Sequence, residues 1–184
     1  MKNIFIVGVP RTGKTTLTKL IKKELPQINL ISFEAIRNGF IKSQPELNMG
    51  NRNSSARQKI LPDFIFEFVN WNEKFSNYNN LIEGDFTDIE SIVKNTDEDD
   101  MIICLGFSGR RIDEIIDGII RNDSNHDYTK NWTEDKIKNH FYDIVEKDKE
   151  NIENCKKYNI KYYDTYENRQ DVFFEILNFI KENI

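Results

Sequence analysis

The chain has 184 residues, 38% of them hydrophobic and 12% aromatic, which suits one domain with a single sizeable core and excludes a disordered chain. Its formal net charge is −5 and no basic block stands out, which argues against nucleic acid or an anionic membrane as primary partner. Two cysteines (Cys104, Cys155) and two histidines (His126, His140) are too few for a zinc site, and no run reaches the ~18 apolar residues of a membrane span.

The opening MKNIFIVGVP meets a glycine loop too early for the apolar core of a secretory leader. We therefore expect a soluble, cytoplasmic protein with reduced structural thiols. Residues 3–9 (NIFIVGV) read as the first strand. The next stretch, Gly8-Val9-Pro10-Arg11-Thr12-Gly13-Lys14-Thr15, fits GxxxxGK[ST] without a gap, and a helix over 14–25 starts within it. Glycines let the backbone curl so that successive N–H groups point into one concavity, and the helix N-terminus adds positive potential. Gly8, Arg11, Thr12, Gly13, Lys14, Thr15 and Thr16 are thus expected to cradle a nucleoside triphosphate. Lys14 would reach the β- and γ-phosphates, and the Thr15 hydroxyl would serve Mg²⁺.

The helix over 14–25 places Leu17, Leu20, Ile21 and Leu25 on one side and stops at Pro26. Residues 28–33 (INLISF) are the second strand, followed by a helix over 34–42. Glu34 and Arg37 lie three apart at its start and share a face. Such a carboxylate can orient a hydroxyl or take its proton, and such an arginine can clamp an anion. The same pair would equally serve as a helix-terminal acid with an i,i+3 ion pair.

A loop over 42–55 precedes a helix over 57–76, with Phe64, Ile65, Phe68 and Val69 expected on one side. Arg52 and Arg57, with His126 further along the chain, are weaker acceptor-site candidates. The third strand, 79–85, ends in LIEGD. Side chains alternate along a strand, so Glu83 and Asp85 can point the same way, toward Mg²⁺ or substrate. Gly84 between them is expected to leave room for a substrate. An ordinary turn with two solvated acids would read alike.

A short helix over 87–94 and a solvated acidic turn (TDEDD, 96–100) lead to the fourth strand, 100–107. Arg110, Arg111 and Arg121 bracket a helix over 110–121, and a polar loop with His126 runs over 121–131. A long polar helix over 133–158 carries the stripe Ile137, Phe141, Ile144, Val145. A fifth strand at 160–165 and a last helix at 168–182 close the chain. Strands alternating with helices predict an α/β fold with a parallel sheet. NKxD and DxxG are absent, so ATP is favoured over GTP.

The loop GVPRTGKT, the segment ISFEAIR with Glu34 and Arg37, LIEGD with Glu83 and Gly84, and YYDTYENRQDVFFEI at the end resemble the nucleoside monophosphate kinase-like group of P-loop kinases. That group includes adenylate, cytidylate, shikimate and gluconate kinases. The resemblance implies a P-loop NTP hydrolase-type three-layer sandwich whose five-stranded parallel sheet runs 2-3-1-4-5. It implies a single domain with an acceptor-binding insertion at about 34–78 and a lid at about 110–132. Backbone around Thr165 to Asn168 would face the base, and Arg110, Arg111 and Arg121 would close on the transferring phosphates. ATP and Mg²⁺ are the implied cofactors. One departure stands out: EGDFTD lacks the arginine that adenylate kinases place just after the acid-glycine pair. A small-molecule hydroxyl is therefore the favoured acceptor. A nucleoside monophosphate is the alternative, and an ATP-binding regulatory module a third reading.

Overall fold

A computed structural model describes residues 1–51, 54–85, 88–121 and 129–184. Arg52, His126 and most of the polar loop over 121–131 therefore lie outside the described residues. In chain order the elements are β1 (Asn3–Gly8), α1 (Lys14–Glu24), β2 (Asn29–Ser32), α2 (Phe33–Ser43), α3 (Ser55–Phe75), β3 (Asn80–Glu83), α4 (Ile89–Lys94), β4 (Met101–Gly106), α5 (Ile112–Arg121), α6 (Glu134–Lys157), β5 (Lys161–Asp164) and α7 (Arg169–Asn183). The sheet order is β2-β3-β1-β4-β5, and every pair is parallel.

Strand β1 is buried along its whole length, as a central parallel strand covered on both faces must be. Its alternating side chains define the two outer layers. Phe5 and Val7 join Ile31 and Ile82 against Leu61, Ile65, Phe66 and Val69 of α3. Ile4 and Ile6 face the other way, against Leu17 and Ile21 of α1 and Phe173, Ile176 and Ile180 of α7. A third cluster, under α5 and α6, buries Val9 and Phe107 with the predicted stripe Ile137, Phe141, Ile144 and Val145.

Side-chain caps begin several helices, and α3 starts two residues before the expected 57. Ser54 Oγ accepts from Arg57 N–H at 3.1 Å, and Thr133 Oγ1 accepts from Lys136 N–H at 3.4 Å. Two expectations are corrected. Phe64 and Phe68 do not share the inward face of α3 with Ile65 and Val69; they stand in solvent. The loop over 42–55 holds a 3₁₀ turn at Pro45–Leu47, which Pro45 opens with its fixed φ. Cys104 and Cys155, far apart in sequence, are buried in one core cluster, where a mutual hydrogen bond and burial push the Cys104 thiol well up. Among the described residues no helix is long and apolar enough to cross a membrane.

Candidate active site

The sheet order reverses beside β1, so the carboxyl ends of β1, β3 and β2 open onto a crevice where ligands of such sheets bind. The loop after β1 is shaped by close packing. Gly8 has φ +124°, and a Cβ there would sit 1.9 Å from the Leu105 carbonyl oxygen. Gly13 has φ +88° and lies against the Phe173 ring of α7. No other residue type fits either position without displacing backbone or a core ring. Arg11 also adopts φ +70°. The Thr12 hydroxyl donates to Val9 O at 2.8 Å, so its side chain fixes the turn from inside. The Lys14 ammonium donates to Gly8 O and Val9 O at 2.9 Å each, curled over the nest its own loop forms. Helix α1 starts at Gly13 without a side-chain cap, leaving its first N–H groups to a ligand.

A cavity of about 860 Å³ joins this loop to the strand ends. Lys14, Thr15 and Thr16 line one side, and Glu34, Arg37, Arg57, Glu83 and Asp85 line the other. Register explains the meeting: Glu83 pairs with Ile6 of β1 and Ser32 of β2, at the mouth of both strands. Ser32 Oγ donates to Glu83 Oε1 at 3.3 Å. Asp85 N–H donates to Glu34 Oε1 at 3.1 Å, and Arg57 Nη2 lies 3.4 Å from Asp85 Oδ2. Glu34 Oε2 and Arg37 Nε are buried without a hydrogen-bond partner among the described residues. Buried polar atoms are rarely left so, and here both belong to cavity residues. Gly84 does not leave the open room for a substrate that the sequence led us to expect. A Cβ there would come 2.3 Å from Phe33 Cβ, so the glycine lets α2 press against the end of β3.

Burial, then the nearby Glu34 charge, raise the Glu83 carboxyl above its usual value, against the pull of Lys14 and Ser32. The folded state therefore holds the Glu83 proton to higher pH than the unfolded chain does. As pH rises through the window between those two values, stability falls, and above it the loss is constant. Glu83→Gln is expected to melt higher than wild type at neutral pH, with the gap closing near pH ~4, below the unfolded-state value. Ligand-free melts across that range check this; a gap independent of pH would contradict it.

The arginines around α5 sit elsewhere. Arg110 pairs with Asp164 and Glu167 at 3.6 and 3.5 Å and stacks on Tyr166, 4.4 Å from the ring centroid. Arg121 Nη2 donates to the Tyr166 hydroxyl at 3.3 Å. Arg111 is 79% exposed beside Glu114. Arg110 and Arg121 thus converge, but on the Tyr166 ring and not on the cavity. Thr165 N–H and Oγ1 both donate to Gly106 O, tying the β5 loop to β4, and Asn168 caps α7 in the left-handed region. Neither lines the cavity.

Several cavity residues were not sequence candidates: Ser32, Ile41 and Gly50, and two with chemistry to offer, Arg169 and His140. Arg169 bridges the β5 loop to the phosphate loop, donating from Nε to Thr165 O at 3.0 Å and from Nη2 to Arg11 O at 3.3 Å. A cation opening the last helix, just past the segment read as base-facing, was its signal. His140 reaches the rim from α6, against Trp132 and Phe141, and its sequence context carried no signal.

The donor set fits a phosphate-bound Mg²⁺. Among the described residues no cluster of three or more His, Cys, Asp and Glu could hold a metal alone. Mg²⁺ at nucleotides instead takes one or two carboxylates, waters and phosphate oxygens. Thr15, Glu83 and Asp85 line one cavity and would supply the protein's share.

No family model and no curated protein matches the sequence. Solved structures do match the fold. A shikimate kinase from Bacteroides thetaiotaomicron aligns at TM-score 0.59 and 13% identity, over 98% of this chain and 97% of its own. A gluconokinase from Sinorhizobium meliloti aligns at TM-score 0.64 and 11% identity, over 98% and 92%. A Deinococcus radiodurans tunicamycin resistance protein aligns at TM-score 0.55 and 11% identity, over 97% and 95%. The chain has the fold of these proteins from end to end, with the parallel sheet in the order 2-3-1-4-5.

Proposed function

We propose that the protein is an ATP- and Mg²⁺-dependent kinase that moves the γ-phosphoryl group to a hydroxyl of a small molecule. The observation that carries this is the single cavity joining the phosphate loop to Glu34, Arg37, Arg57, Glu83 and Asp85. A passive nucleotide binder has no need of acids and arginines facing the phosphates. Two of the fold neighbours are, by their names, kinases of hydroxyl-bearing small acids.

In this reading Lys14 and the N–H groups opening α1 hold the triphosphate. Mg²⁺, held by Thr15 with Glu83 or Asp85, would neutralise phosphate charge. The unpartnered Glu34 Oε2 orients the acceptor hydroxyl and takes its proton as the new P–O bond forms. Arg37 grips a polar group of the acceptor, and Gly84 fixes the approach of Glu34 by letting α2 dock. The acceptor-binding insertion spans about 34–78 and the lid about 110–132 of one domain. Arg110, Arg111 and Arg121 would reach phosphate only if that lid closes and releases Arg110 and Arg121 from Tyr166. The partner is a small molecule rather than nucleic acid or a membrane. Buried free thiols suit a reducing cytoplasm.

The test is ADP formation with MgATP and a panel of hydroxy acids, sugars and nucleoside monophosphates. Turnover stimulated by a hydroxyl compound supports the reading. Stimulation by nucleoside monophosphates alone would replace it with a nucleotide kinase, and tight ATP binding with no acceptor-stimulated turnover would leave a regulatory module.

A further inference from the structure

Helix α3 has two apolar faces. One enters the core through Leu61, Ile65, Phe66 and Val69. On the other, Ile60, Phe64, Phe68, Trp71 and Phe75 stand 42 to 82% exposed. Their spacing of four, four, three and four residues stays close to the helical turn, so they form a nearly straight ridge about 22 Å long. The rings lie along it in order. Phe64 and Phe68 stack at 6.4 Å with 16° between planes, and Trp71 and Phe75 at 6.1 Å with 13°. Phe40 of α2 braces Phe64 edge-on at 5.2 Å. Scattered apolar residues on a surface are ordinary; a contiguous aromatic ridge is not.

We propose that this ridge is a two-fold interface between two copies of the chain, with α3 packed antiparallel on α3. Three observations choose this occupant. The first is area. Four rings of roughly 200 Å² each, exposed to this degree, present on the order of 450 Å². Ile60 and the flanking polar residues extend that toward the ~800 Å² per partner of a standard interface.

The second is self-complementarity. A straight ridge running from Ile60 to Phe75 meets its own two-fold copy ring against ring, as an isologous contact requires. The third is charge. Asp63, Glu67 and Lys74 lie along one flank of the ridge, acids toward its start and the lysine toward its end. Antiparallel pairing about the ridge midpoint faces each flank with itself. Asp63 then falls within two residues, about 3 Å along the axis, of the partner's Lys74. The two-fold repeats this pair at the other end. Glu67 lies near the midpoint, close to its own copy. That repulsion is tempered because its carboxylate accepts from Trp71 Nε1 at 2.7 Å, and Lys74 Nζ sits 3.9 Å over the same indole. The flanking acids and the net charge of −5 disfavour an anionic lipid surface as occupant.

Sedimentation of the full chain across micromolar concentrations tests this. Wild type is expected at twice the chain mass. Phe68→Glu with Trp71→Glu is expected to be monomeric, with its circular dichroism and melting retained because both sites are on the surface. Asp63→Lys and Lys74→Asp are each expected to weaken the dimer by roughly tenfold in Kd, since each sets like charges opposite at both ends. An equimolar mixture of these two variants is expected to recover it as a heterodimer, which fixes the antiparallel orientation. A monomeric wild type, with or without affinity for lipid vesicles, overturns the proposal. So does a dimer that survives the Glu substitutions.

Discussion

Lys14→Ala is expected to lower acceptor-stimulated ADP formation by roughly 100- to 1,000-fold, the loss seen when one preorganised group aimed at transferring charge is removed. The ammonium is almost fully buried and held by the Gly8 and Val9 carbonyls, so it is fixed over the loop before any nucleotide arrives. A triphosphate would take this charge from two neutral acceptors, a favourable exchange because charge-assisted bonds are the stronger. The same geometry predicts a structural cost. Without Lys14 the Gly8 carbonyl loses this buried donor, worth roughly 1–3 kcal/mol, while Val9 O keeps the Thr12 hydroxyl. Melting and activity therefore need to be read together. Lys14→Met fills the same channel without the charge. If Lys14→Met melts near wild type and still loses turnover, the effect is chemical. If ATP raises its melting temperature as far as in wild type, Lys14 does not contact phosphate.

The sequence made the donor half of this cavity more legible than the acceptor half, for a physical reason. The phosphate loop is a contiguous backbone shape. Gly8 and Gly13 are needed where φ is positive and where Leu105 and Phe173 press in, so residue identity and structure map one to one. Strands β1 and β4 were equally plain, because a parallel strand covered on both faces reads as an unbroken apolar run. Glu34, Arg37, Arg57, Glu83 and Asp85 come from separate elements and meet only through the β1–β2–β3 register and the docking of α2 on Gly84. Their spacing could nominate them but could not show that Arg57 faces Asp85 or that Ser32 holds Glu83. Arg110 and Arg121 show the converse. Their charge and position suggested phosphate, yet Tyr166 offers a nearby ring and hydroxyl. Helix α3 misled for a related reason. Its apolar residues wrap most of the helix, so periodicity alone does not say that Ile65 and Val69 turn inward while Phe64 and Phe68 turn out.

Arg57→Ala is expected to destabilise the fold by about 2–3 kcal/mol and to raise the acceptor KM more than the ATP KM. The Arg57 side chain is 3% exposed and its Asp85 partner 20%, joined at 3.4 Å. Removing one member of a buried ion pair costs roughly 3–5 kcal/mol when both are fully buried. The residual water access of Asp85 argues for the lower figure. The pair is too enclosed for salt to screen fully, so the loss in melting temperature is expected to persist in high salt, unlike that of a surface pair. Arg57→Met with Asp85→Asn is expected to recover much of the stability, because it removes both charges and keeps the volume. It is not expected to recover turnover. The double variant keeps the Asp85 backbone N–H that holds Glu34 Oε1, but it removes a carboxylate assigned to Mg²⁺ and a guanidinium that lines the acceptor side of the cavity. If the double variant regains turnover along with stability, the Arg57–Asp85 pair is a support for α3 and has no part in acceptor binding.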